Sequence, residues 1–482
     1  MYKKSRIIVF LLIFVMIMST VVLASPGNRG NSGNAPGQTG AAFDQRVLNN
    51  VDLDRNMAHI EYLSKDSGTR PGGLENEELA ANYIAEYFDG LGMEYEVQEF
   101  DVGDQFIGNI TVHGAEYFYG EGEWGFNEWH GDVWEVGAAR NGYFTGDDET
   151  LSGEVYCVGT GEEEYWTEEV EGKIALVQRG KLFTTYVERA ENAGAKGVMI
   201  YSVIGGRGNY GQAFSPNVAA DMPVLGLAYA QGMWLKEMLE EDTVEIDIQT
   251  WHYEDLTSQN VVGIKPAKAE DAPVVVIGAH YDSVVGAPGA NDNGTGTAVT
   301  MELARVLDKF NTDGYEIRFG LWGSEERGLL GARHYVNTLS EEELERHIAN
   351  YNVDMVATSE YERAPYFFIN TVDGEPNVVT ETTMAAAERL GFDMVKQSQF
   401  PSSDHVPFHN AGIPAAMYIW LGGEGTPQDY TIERFYHTPQ DTIEENICEE
   451  RLELALELVG SAVFDLVRKP VPALENSAVR NR

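Results

Sequence analysis

Two adjacent glutamates, Glu325 and Glu326, follow an apolar run in the stretch LWGSEERGLL at residues 321–330. Adjacent carboxylates repel each other, so their pairing needs a chemical reason. A divalent cation supplies one, because it converts the repulsion between neighbouring carboxylates into attraction. We expect the pair at the start of a helix, where neighbouring side chains project roughly 100° apart. One glutamate can then ligate the metal while the other moves protons beside it. We therefore assign Glu326 to a metal ion and Glu325 to the role of general base.

Further carboxylates and imidazoles follow the predicted strands in the second half of the chain. They are His280 and Asp282 after VVVIGAH, Asp292 in GAPGANDNGTGT, Asp354 after IANYNVD, and Tyr436 with His437 in RFYHTPQDT. Taken singly, such residues are typical of turns, helix caps and the protein surface. Taken together they follow successive strands, and in parallel sheets the ends of strands meet at one edge. We therefore expect these side chains to gather at a single site.

The residue types at this predicted site favour zinc. Two histidines with three or more acids suit zinc, whereas an all-oxygen set would suggest magnesium or calcium. Five protein ligands, one of them bridging through both oxygens, suit two metal ions about 3.5–4 Å apart. Asp292 is the natural bridge, because glycines around it let the backbone bend to aim a short side chain. The sequence therefore predicts two Zn²⁺ per chain.

The elements predicted to position this site alternate between strands and helices. From about residue 258, buried strands such as APVVVIGAHYD and YEIRFGLWG are followed by amphipathic helices such as TGTAVTMELARVLDKF. Helical patterns and one strand pattern, EYEVQEFDV, also precede residue 110. The stretch GKIALVQRGKLFTTYVERAENAGAKGVMIYS predicts a strand, a helix and a second strand. This alternation predicts an α/β fold with a mixed, mostly parallel sheet flanked by helices.

The composition narrows the classes of function. With 482 residues, of which 43% are hydrophobic, the chain can bury a large core and form more than one domain. Its formal charge of -44 argues against nucleic acid or an anionic membrane as a partner and fits exposure to high salt or high pH. The two cysteines, Cys157 and Cys448, are far apart in sequence, so no disulfide framework is expected.

The start of the sequence has the features of an export signal. A short basic region precedes an apolar run and a small-residue site at 22–24. We expect cleavage there and a secreted protein without stable membrane insertion. Because the apolar run is somewhat long, an uncleaved membrane anchor is the alternative. Residues 25–42 are rich in Gly, Asn, Ser and Pro, which predicts a flexible linker.

Two parts of the sequence resemble known families. The motifs GAHYDS, GANDNGTGTA, WGSEERGLLGARHYV, NVDMVA and YHTPQDT, in this order, resemble the co-catalytic zinc peptidases of clan MH. That family includes secreted bacterial aminopeptidases and glutamate carboxypeptidase II, and the resemblance implies the zinc exopeptidase fold. The segments GKIALVQRG, AENAGAKGVMIY and MPVLGLAY resemble an inserted, β-rich protease-associated domain. The expected division is a signal peptide at 1–24, a linker at 25–42, a zinc peptidase domain at 43–115 and 255–470, a protease-associated domain at 116–254, and a C-terminal tail at 471–482.

The family pattern implies roles for residues already singled out. As metal ligands it implies His280, Asp292, Glu326, Asp354 and His437. It implies that Glu325 is the base, in agreement with the assignment made from the glutamate pair itself. It also implies that Asp282 orients His280 and that Tyr436 donates a hydrogen bond to the tetrahedral oxyanion.

The segment FPSSDHVPFHNAGIP also resembles a family segment. We expect His405 and His409 to line or support the pocket, with helix capping by Ser403 or Asp404 as the alternative. For His334, on the predicted helix after the glutamate pair, we expect a surface or packing role.

These observations predict a secreted aminopeptidase that acts on peptides with a free N-terminus through a hydroxide bridging two zinc ions. The substrate amine needs acidic acceptors, which Glu325 and Asp354 can provide. A carboxypeptidase would need a basic cluster, and few Lys or Arg residues lie near the motifs. The alternatives are a carboxypeptidase or dipeptidase of the same family, a single-zinc acyltransferase similar to glutaminyl cyclase, and a non-catalytic binding protein. The preferred N-terminal residue and the oligomeric state are not predicted.

Overall fold

The computed structural model describes residues 38–113, 133–206 and 208–470. The predicted signal peptide, most of the predicted linker and the predicted C-terminal tail lie outside these ranges. Residues 38–42, which were expected to belong to the linker, instead begin the first helix. Among the described residues, no helix combines the length and the apolar character that a membrane span requires. Both cysteines are free.

The first part of the chain forms three helices and a long strand. They are α1 (Gln38–Leu48), α2 (Leu53–Glu61), α3 (Glu75–Leu91) and β1 (Glu94–Val112). In α3, buried residues recur every four positions at Ala80, Ile84 and Phe88, which gives one apolar face. The helix ends at Gly92, whose φ of 69° is left-handed and is adopted by glycine at no steric cost.

An inserted lobe follows. It contains β2 (Val133–Ala138), β3 (Leu151–Cys157), β4 (Ile174–Gln178), α4 (Phe183–Ala193), β5 (Gly197–Tyr201), β6 (Val224–Leu227) and α5 (Tyr229–Glu241). Strands β3 to β6 are parallel neighbours, and each side of this small sheet has its own apolar core. The strand–helix–strand order predicted around GKIALVQRG is therefore confirmed.

The remaining residues form the C-terminal lobe. Its strands are β7 (Glu245–Lys265), β8 (Val274–His280), β9 (Glu316–Trp322), β10 (His347–Val353), β11 (Tyr366–Thr371), β12 (Val395–Gln399), β13 (Ala415–Thr426) and β14 (Asp429–Thr431). Its helices are α6 (Gly296–Asp308), α7 (Leu330–Thr338), α8 (Glu341–Arg346), α9 (Val378–Leu390), α10 (His405–Asn410), α11 (Ile443–Asn446) and α12 (Glu449–Val467).

One sheet runs through both lobes. Its strand order is β1-β2-β6-β5-β4-β3-β7-β9-β8-β10-β13-β11-β12, with β14 paired to β13. In the C-terminal lobe β9, β8, β10 and β13 are parallel, and β7 is antiparallel to β9. Strand β11 is antiparallel to β13 and parallel to β12. The predicted mixed, mostly parallel sheet is thus confirmed.

Helices cover both faces of the sheet in the C-terminal lobe. In β8, Val275 and Ile277 belong to one apolar core, whereas Val274 and Val276 belong to the opposite one. Burial on both faces explains why this strand reads as a continuous apolar run rather than an alternating one. The sheet is therefore a rigid base from which loops leave at the strand ends.

The end of β9 is positioned by close packing of Trp322. A Cβ on Gly320 would lie 2.1 Å from Trp322 Cη2, and a Cβ on Gly278 would lie 2.6 Å from Trp322 Nε1. Both glycines are needed, since real Cβ atoms do not approach other atoms so closely. The indole is fully buried three residues before Glu325, so it anchors the turn that carries the glutamate pair.

Candidate active site

Three neighbouring strands bring charged side chains to one edge of the sheet. β8 ends at His280, β9 ends three residues before Glu325, and β10 ends one residue before Asp354. Because these strands are parallel neighbours, their carboxyl ends meet. Asp292 comes from the loop after β8, and His437 from the segment after β14. The structure therefore brings together the residues that the sequence predicted to share a site.

The described side chains form three adjoining groups that could hold a cation. One joins His280 to Glu325 and Glu326, and the other two share Asp292. In the first of these two, His280 Nε2 lies 3.3 Å from Asp292 Oδ1 and 3.5 Å from Asp354 Oδ1. In the second, His437 Nε2 lies 3.0 Å from Asp292 Oδ2 and 3.0 Å from Glu326 Oε1. Each group offers one nitrogen and two carboxylate oxygens within 4.8 Å of one another. The two oxygens of Asp292 thus face different groups, as a bridging carboxylate requires.

Both imidazoles form a hydrogen bond at Nδ1, which leaves Nε2 to face the carboxylates. His280 Nδ1 lies 3.2 Å from the carbonyl oxygen of Asp282, and His437 Nδ1 lies 2.7 Å from Gln212 Oε1. Because both oxygens can only accept, each Nδ1 carries a proton, and each ring turns its Nε2 towards the carboxylates. A proton on Nδ1 is the arrangement in which histidine binds a metal through Nε2.

Two carboxylate oxygens at the centre have no hydrogen-bond partner within the described ranges of the chain. They are Glu326 Oε1 and Asp354 Oδ1, both buried. Buried carboxylate oxygens without a donor are unfavourable unless a cation lies beside them. The donor set of two nitrogens and three carboxylates is the chemistry that zinc prefers. The residues present therefore fit zinc.

Asp282 links the two sides of the site. Its Oδ1 accepts a hydrogen bond from the backbone N–H of Glu325 at 2.9 Å, and its Oδ2 accepts one from Glu326 at 3.2 Å. The same Oδ1 lies 3.4 Å from His280 Nδ1. Asp282 therefore contacts His280 and also holds the backbone of the glutamate pair.

The glutamate pair lies on a 3₁₀ turn, Glu325–Arg327, and not at the start of an α-helix as expected. The left-handed residues Gly328 and Leu329 separate this turn from α7, which begins at Leu330. Successive side chains still diverge strongly on a 3₁₀ turn, which has three residues per turn. Burial raises the pKa of the Glu325 carboxyl well above its usual range, and nearby carboxylates act in the same direction.

Tyr436 lies beside the metal-binding groups. Its ring stacks on that of His437 at a centroid distance of 3.6 Å. Burial, together with the negative charges of Asp292, Glu326 and Glu325, raises the pKa of the Tyr436 hydroxyl well above its usual value. The hydroxyl therefore keeps its proton and remains a hydrogen-bond donor.

The histidines outside the site have different surroundings. His334 stacks on Phe100 with the ring centroids 5.1 Å apart, which is the expected packing role. His405 is buried, and its Nε2 hydrogen-bonds the carbonyl of Phe400 at 2.9 Å. The predicted alternative of helix capping is not found in this segment, because Asp404 precedes α10 without a side-chain cap bond. Ser403 instead donates to Asp354 Oδ2 at 2.6 Å.

Other supporting residues were missed in the sequence. Asp441 accepts hydrogen bonds from the backbone N–H groups of Asn291 and Asp292, both at 2.9 Å, and so fixes the predicted bridge. Asp441 does stand in the motif YHTPQDT, which was the available signal. For Gln212, which belongs to the inserted lobe, the sequence offers no signal.

Two buried side chains from the first part of the chain also hold the site in place. Arg70 donates to five backbone carbonyls, those of Leu63, Gly68, Tyr281, Pro288 and Gly289. Glu77 accepts from Ser324 N at 2.7 Å and Gly73 N at 2.6 Å. The loop leading to Asp292 and the turn carrying the glutamate pair are therefore both tied to the N-terminal helices.

Comparisons with known proteins agree with this geometry. Residues 260–462 match the model of peptidase family M28, and residues 139–235 match that of the PA domain. The aminopeptidase YwaD of Bacillus subtilis is 39% identical over 421 residues, which cover 85% of this chain and 84% of the relative. The structure is similar to that of BSAP, a zinc aminopeptidase from Bacillus subtilis, with a TM-score of 0.60 and 37% identity over 86% of this chain and 95% of that one.

A second solved structure, an aminopeptidase from Aneurinibacillus sp. strain AM-1, has a TM-score of 0.54 and is 30% identical. The match covers 88% of this chain and 95% of that one. The two family matches follow each other in the chain, with the PA domain inserted ahead of the peptidase segment. From its sequence, its fold and these relatives, the chain is a metallopeptidase that belongs to peptidase family M28.

Proposed function

We propose that the chain is an aminopeptidase that uses two zinc ions to remove the N-terminal residue of peptides. The observation that carries this proposal is Asp292, whose two carboxylate oxygens face two different imidazole nitrogens at 3.3 and 3.0 Å. The proposed ligands are His280, Asp292, Glu326, Asp354 and His437. When bound, zinc acidifies water and polarises the carbonyl of the substrate.

Glu325 is the proposed general base. Its raised pKa suits a group that takes a proton from the attacking water and passes it to the leaving amine. Asp282 contacts both His280 and the backbone of the glutamate turn, so its proposed role is to position these two groups. Tyr436, whose hydroxyl stays protonated, is the proposed donor to the oxyanion of the tetrahedral intermediate.

Recognition of the substrate amine rests on the acids of the same site. Glu325 and Asp354 lie on the side of His280, and both are candidates to accept hydrogen bonds from an ammonium group. The relatives are named as aminopeptidases, which supports cleavage from the N-terminus of the substrate. The expected domain division, with 116–254 inserted into a peptidase domain at 43–115 and 255–470, is part of the proposal.

Replacing Glu325 with Gln tests the proposal. The amide keeps the shape but cannot accept a proton, so kcat for leucine p-nitroanilide should fall by about 10²–10⁴-fold. Zinc content, measured by elemental analysis, should stay at two ions per chain. As a matched control, Glu388→Gln makes the same change on the outer part of α9 and should leave kcat unaltered. A near-normal kcat in Glu325→Gln would refute the base assignment.

Export is the second part of the proposal. The basic start, the apolar run and the small residues at 22–24 support cleavage and secretion. N-terminal sequencing of protein recovered from the culture medium should begin at Ser25. Recovery of the chain only from membranes, with its first residues retained, would favour the anchored alternative.

A further inference from the structure

A cavity of about 270 Å³ lies beside the candidate metal centre, between the inserted lobe and the C-terminal lobe. Its wall includes Glu326, one of the proposed ligands. It also includes Gln212, whose Oε1 is 2.7 Å from Nδ1 of His437. The cavity therefore adjoins the site at two points, both on the side of the His437 group.

Two arginines from different lobes also line this cavity. Arg327 follows Glu326 directly, and its Nη2 donates to the carbonyls of Val102 and Asp104, each at 2.8 Å. Its other terminal nitrogen, Nη1, is buried and has no hydrogen-bond partner among the residues that the structure describes. Arg140 comes from the inserted lobe, and its side chain forms no hydrogen bond or ion pair within the described part of the chain.

The positive charge of Arg140 affects the guanidinium group of Arg327. Burial is the main cause that lowers the pKa of Arg327, and the positive charge of Arg140 lowers it further, against the carboxylates of Glu77 and Asp282. Arginine is positively charged in proteins, so the cavity has two positive charges in its wall. The loop at Gly72 keeps Arg327 in place, since a Cβ there would lie 2.9 Å from Arg327 Cδ.

An anionic ligand would complete these contacts. A buried N–H without an acceptor is unfavourable, and a carboxylate is the group that guanidinium binds best, through two parallel hydrogen bonds. The cavity lies just below the ~300–1,000 Å³ typical of sites for drug-sized ligands, which suits a single amino-acid residue. A ligand with one carboxylate and little else therefore matches both the charge and the size.

The charges also decide which part of a peptide lies here. Two arginines repel the substrate ammonium, which the acids near His280 attract instead. In a free peptide the carboxylate lies on the other side of the scissile bond from the ammonium. The residue that is released with the new amine is thus the one directed to the arginines.

We propose that the cavity lined by Arg140 and Arg327 is a subsite for a carboxylate on the leaving side of the scissile bond. This carboxylate is either the C-terminus of a dipeptide or the acidic side chain of the second residue. The inference rests on the proposed function and narrows it to short or acidic peptides. In it, the inserted lobe contributes directly to substrate recognition.

The test compares matched pairs of substrates in the wild type and in Arg140→Gln. For Leu-Ala against Leu-Ala-amide, the wild type should show a kcat/KM ratio of about tenfold or more, equivalent to about 1.4 kcal/mol. In Arg140→Gln this ratio should fall below about threefold, whatever the absolute rates. The matched control is Arg333→Gln, which removes the same charge from an exposed position on α7 and should preserve the ratio.

Further pairs identify the source of the carboxylate. A preference for Leu-Glu-amide over Leu-Gln-amide that is lost in Arg140→Gln assigns the subsite to acidic side chains, and the Leu-Ala pair assigns it to C-termini. A preference for glutamate p-nitroanilide over the glutamine compound would place the carboxylate before the scissile bond and overturn the proposal. Equal rates in both leaving-side pairs, or a preference that survives Arg140→Gln, would also overturn it.

A binding measurement separates this inference from the proposed function. In zinc-loaded Glu325→Gln, calorimetry should give Leu-Ala a dissociation constant about tenfold lower than that of its amide, and adding Arg140→Gln should remove the difference. If the wild type cleaves none of the peptides, the proposed function fails while these constants still decide the subsite. Equal constants for Leu-Ala and its amide would refute the subsite alone.

Discussion

Replacing Asp441 with Asn should weaken zinc binding without touching any proposed ligand. Asp441 is fully buried, and its two oxygens accept the backbone N–H groups of Asn291 and Asp292 and the side-chain amide of Asn446. An asparagine in the same place has only one oxygen and turns an NH₂ group towards a backbone N–H. Two donors would then face each other, and the segment carrying Asp292 must shift.

The magnitude follows from these contacts. Loss of one hydrogen bond to a charged group weakens an interaction by about 1.5–3 kcal/mol, which is roughly 10–100-fold in affinity. Mutation of residues that hydrogen-bond metal ligands typically lowers the metal affinity by the same amount, about 10–100-fold. Because Asp441 is inaccessible to water, we expect the upper end, about 100-fold. For Gln212→Ala we expect the lower end, about tenfold, since Gln212 is exposed and water can replace its bond to His437.

Competition with a zinc chelator of known affinity measures both effects. Asp373→Asn is the matched control, because it makes the same change at an exposed carboxylate that accepts one backbone N–H at 3.0 Å. Its zinc affinity should equal that of the wild type. If Asp441→Asn binds both ions as tightly as the wild type, or if Gln212→Ala has the larger effect, the reasoning from these hydrogen bonds is wrong.

Three further predictions concern the packing, the pH dependence and the metal. Gly296→Ala should reduce the zinc content, because the new Cβ would lie 2.1 Å from the carbonyl oxygen of Val353 and 2.4 Å from Asn293 Oδ1. The control is Gly90→Ala, whose Cβ would have no described atom within 4 Å, and its zinc content should equal that of the wild type. Burial lowers the pKa of His347 from 6.5 to about 4. Between these pH values the unfolded chain binds more protons than the folded one, so acid favours unfolding. The free energy of unfolding should therefore fall by about 3 kcal/mol as the pH falls from 6.5 to 4. His347→Gln should lack this component in urea titrations, and an unchanged pH profile would contradict it. Removal of zinc with EDTA should lower Tm and added zinc should restore it, since ligands stabilise the state that binds them; an unchanged Tm would contradict a cluster of acids held by cations.

The sequence sufficed for those parts of the site that follow strands. His280 and Asp354 could be found because each stands at the end of a predicted strand, where parallel strands meet. Glu325 and Glu326 stood out because adjacent carboxylates need a reason. The error about their local structure came from Gly328 and Leu329, whose left-handed conformations delay the start of α7. Helical periodicity in the residues that follow does not reveal such an interruption.

The supporting contacts could not be predicted, because they join residues far apart in the chain. Gln212 and His437 are 225 positions apart, and Asp441 lies 149 positions from Asp292. Arg70 hydrogen-bonds loop carbonyls more than 200 positions away. Such pairs depend on how two lobes and the N-terminal helices pack, and no local pattern encodes that packing. This is also why Arg140 was not considered among the residues near the site.

The role of the inserted lobe is the main addition made by the structure. Sequence patterns indicated a separate module, and the matched PA domain covers residues 139–235. In the structure this lobe supplies Gln212 to a proposed metal ligand and Arg140 to the adjoining cavity. Few basic residues lie near the sequence motifs, but this did not show how many lie near the site in the fold. One of the two arginines of the cavity comes from the inserted lobe.

Anomalous diffraction at the zinc edge tests the central claim most directly. Crystals grown with zinc should give two peaks about 3.5–4 Å apart. One peak should lie among His280, Asp292 and Asp354, and the other among Asp292, Glu326 and His437. A single peak, or two peaks that do not share Asp292, would contradict the account.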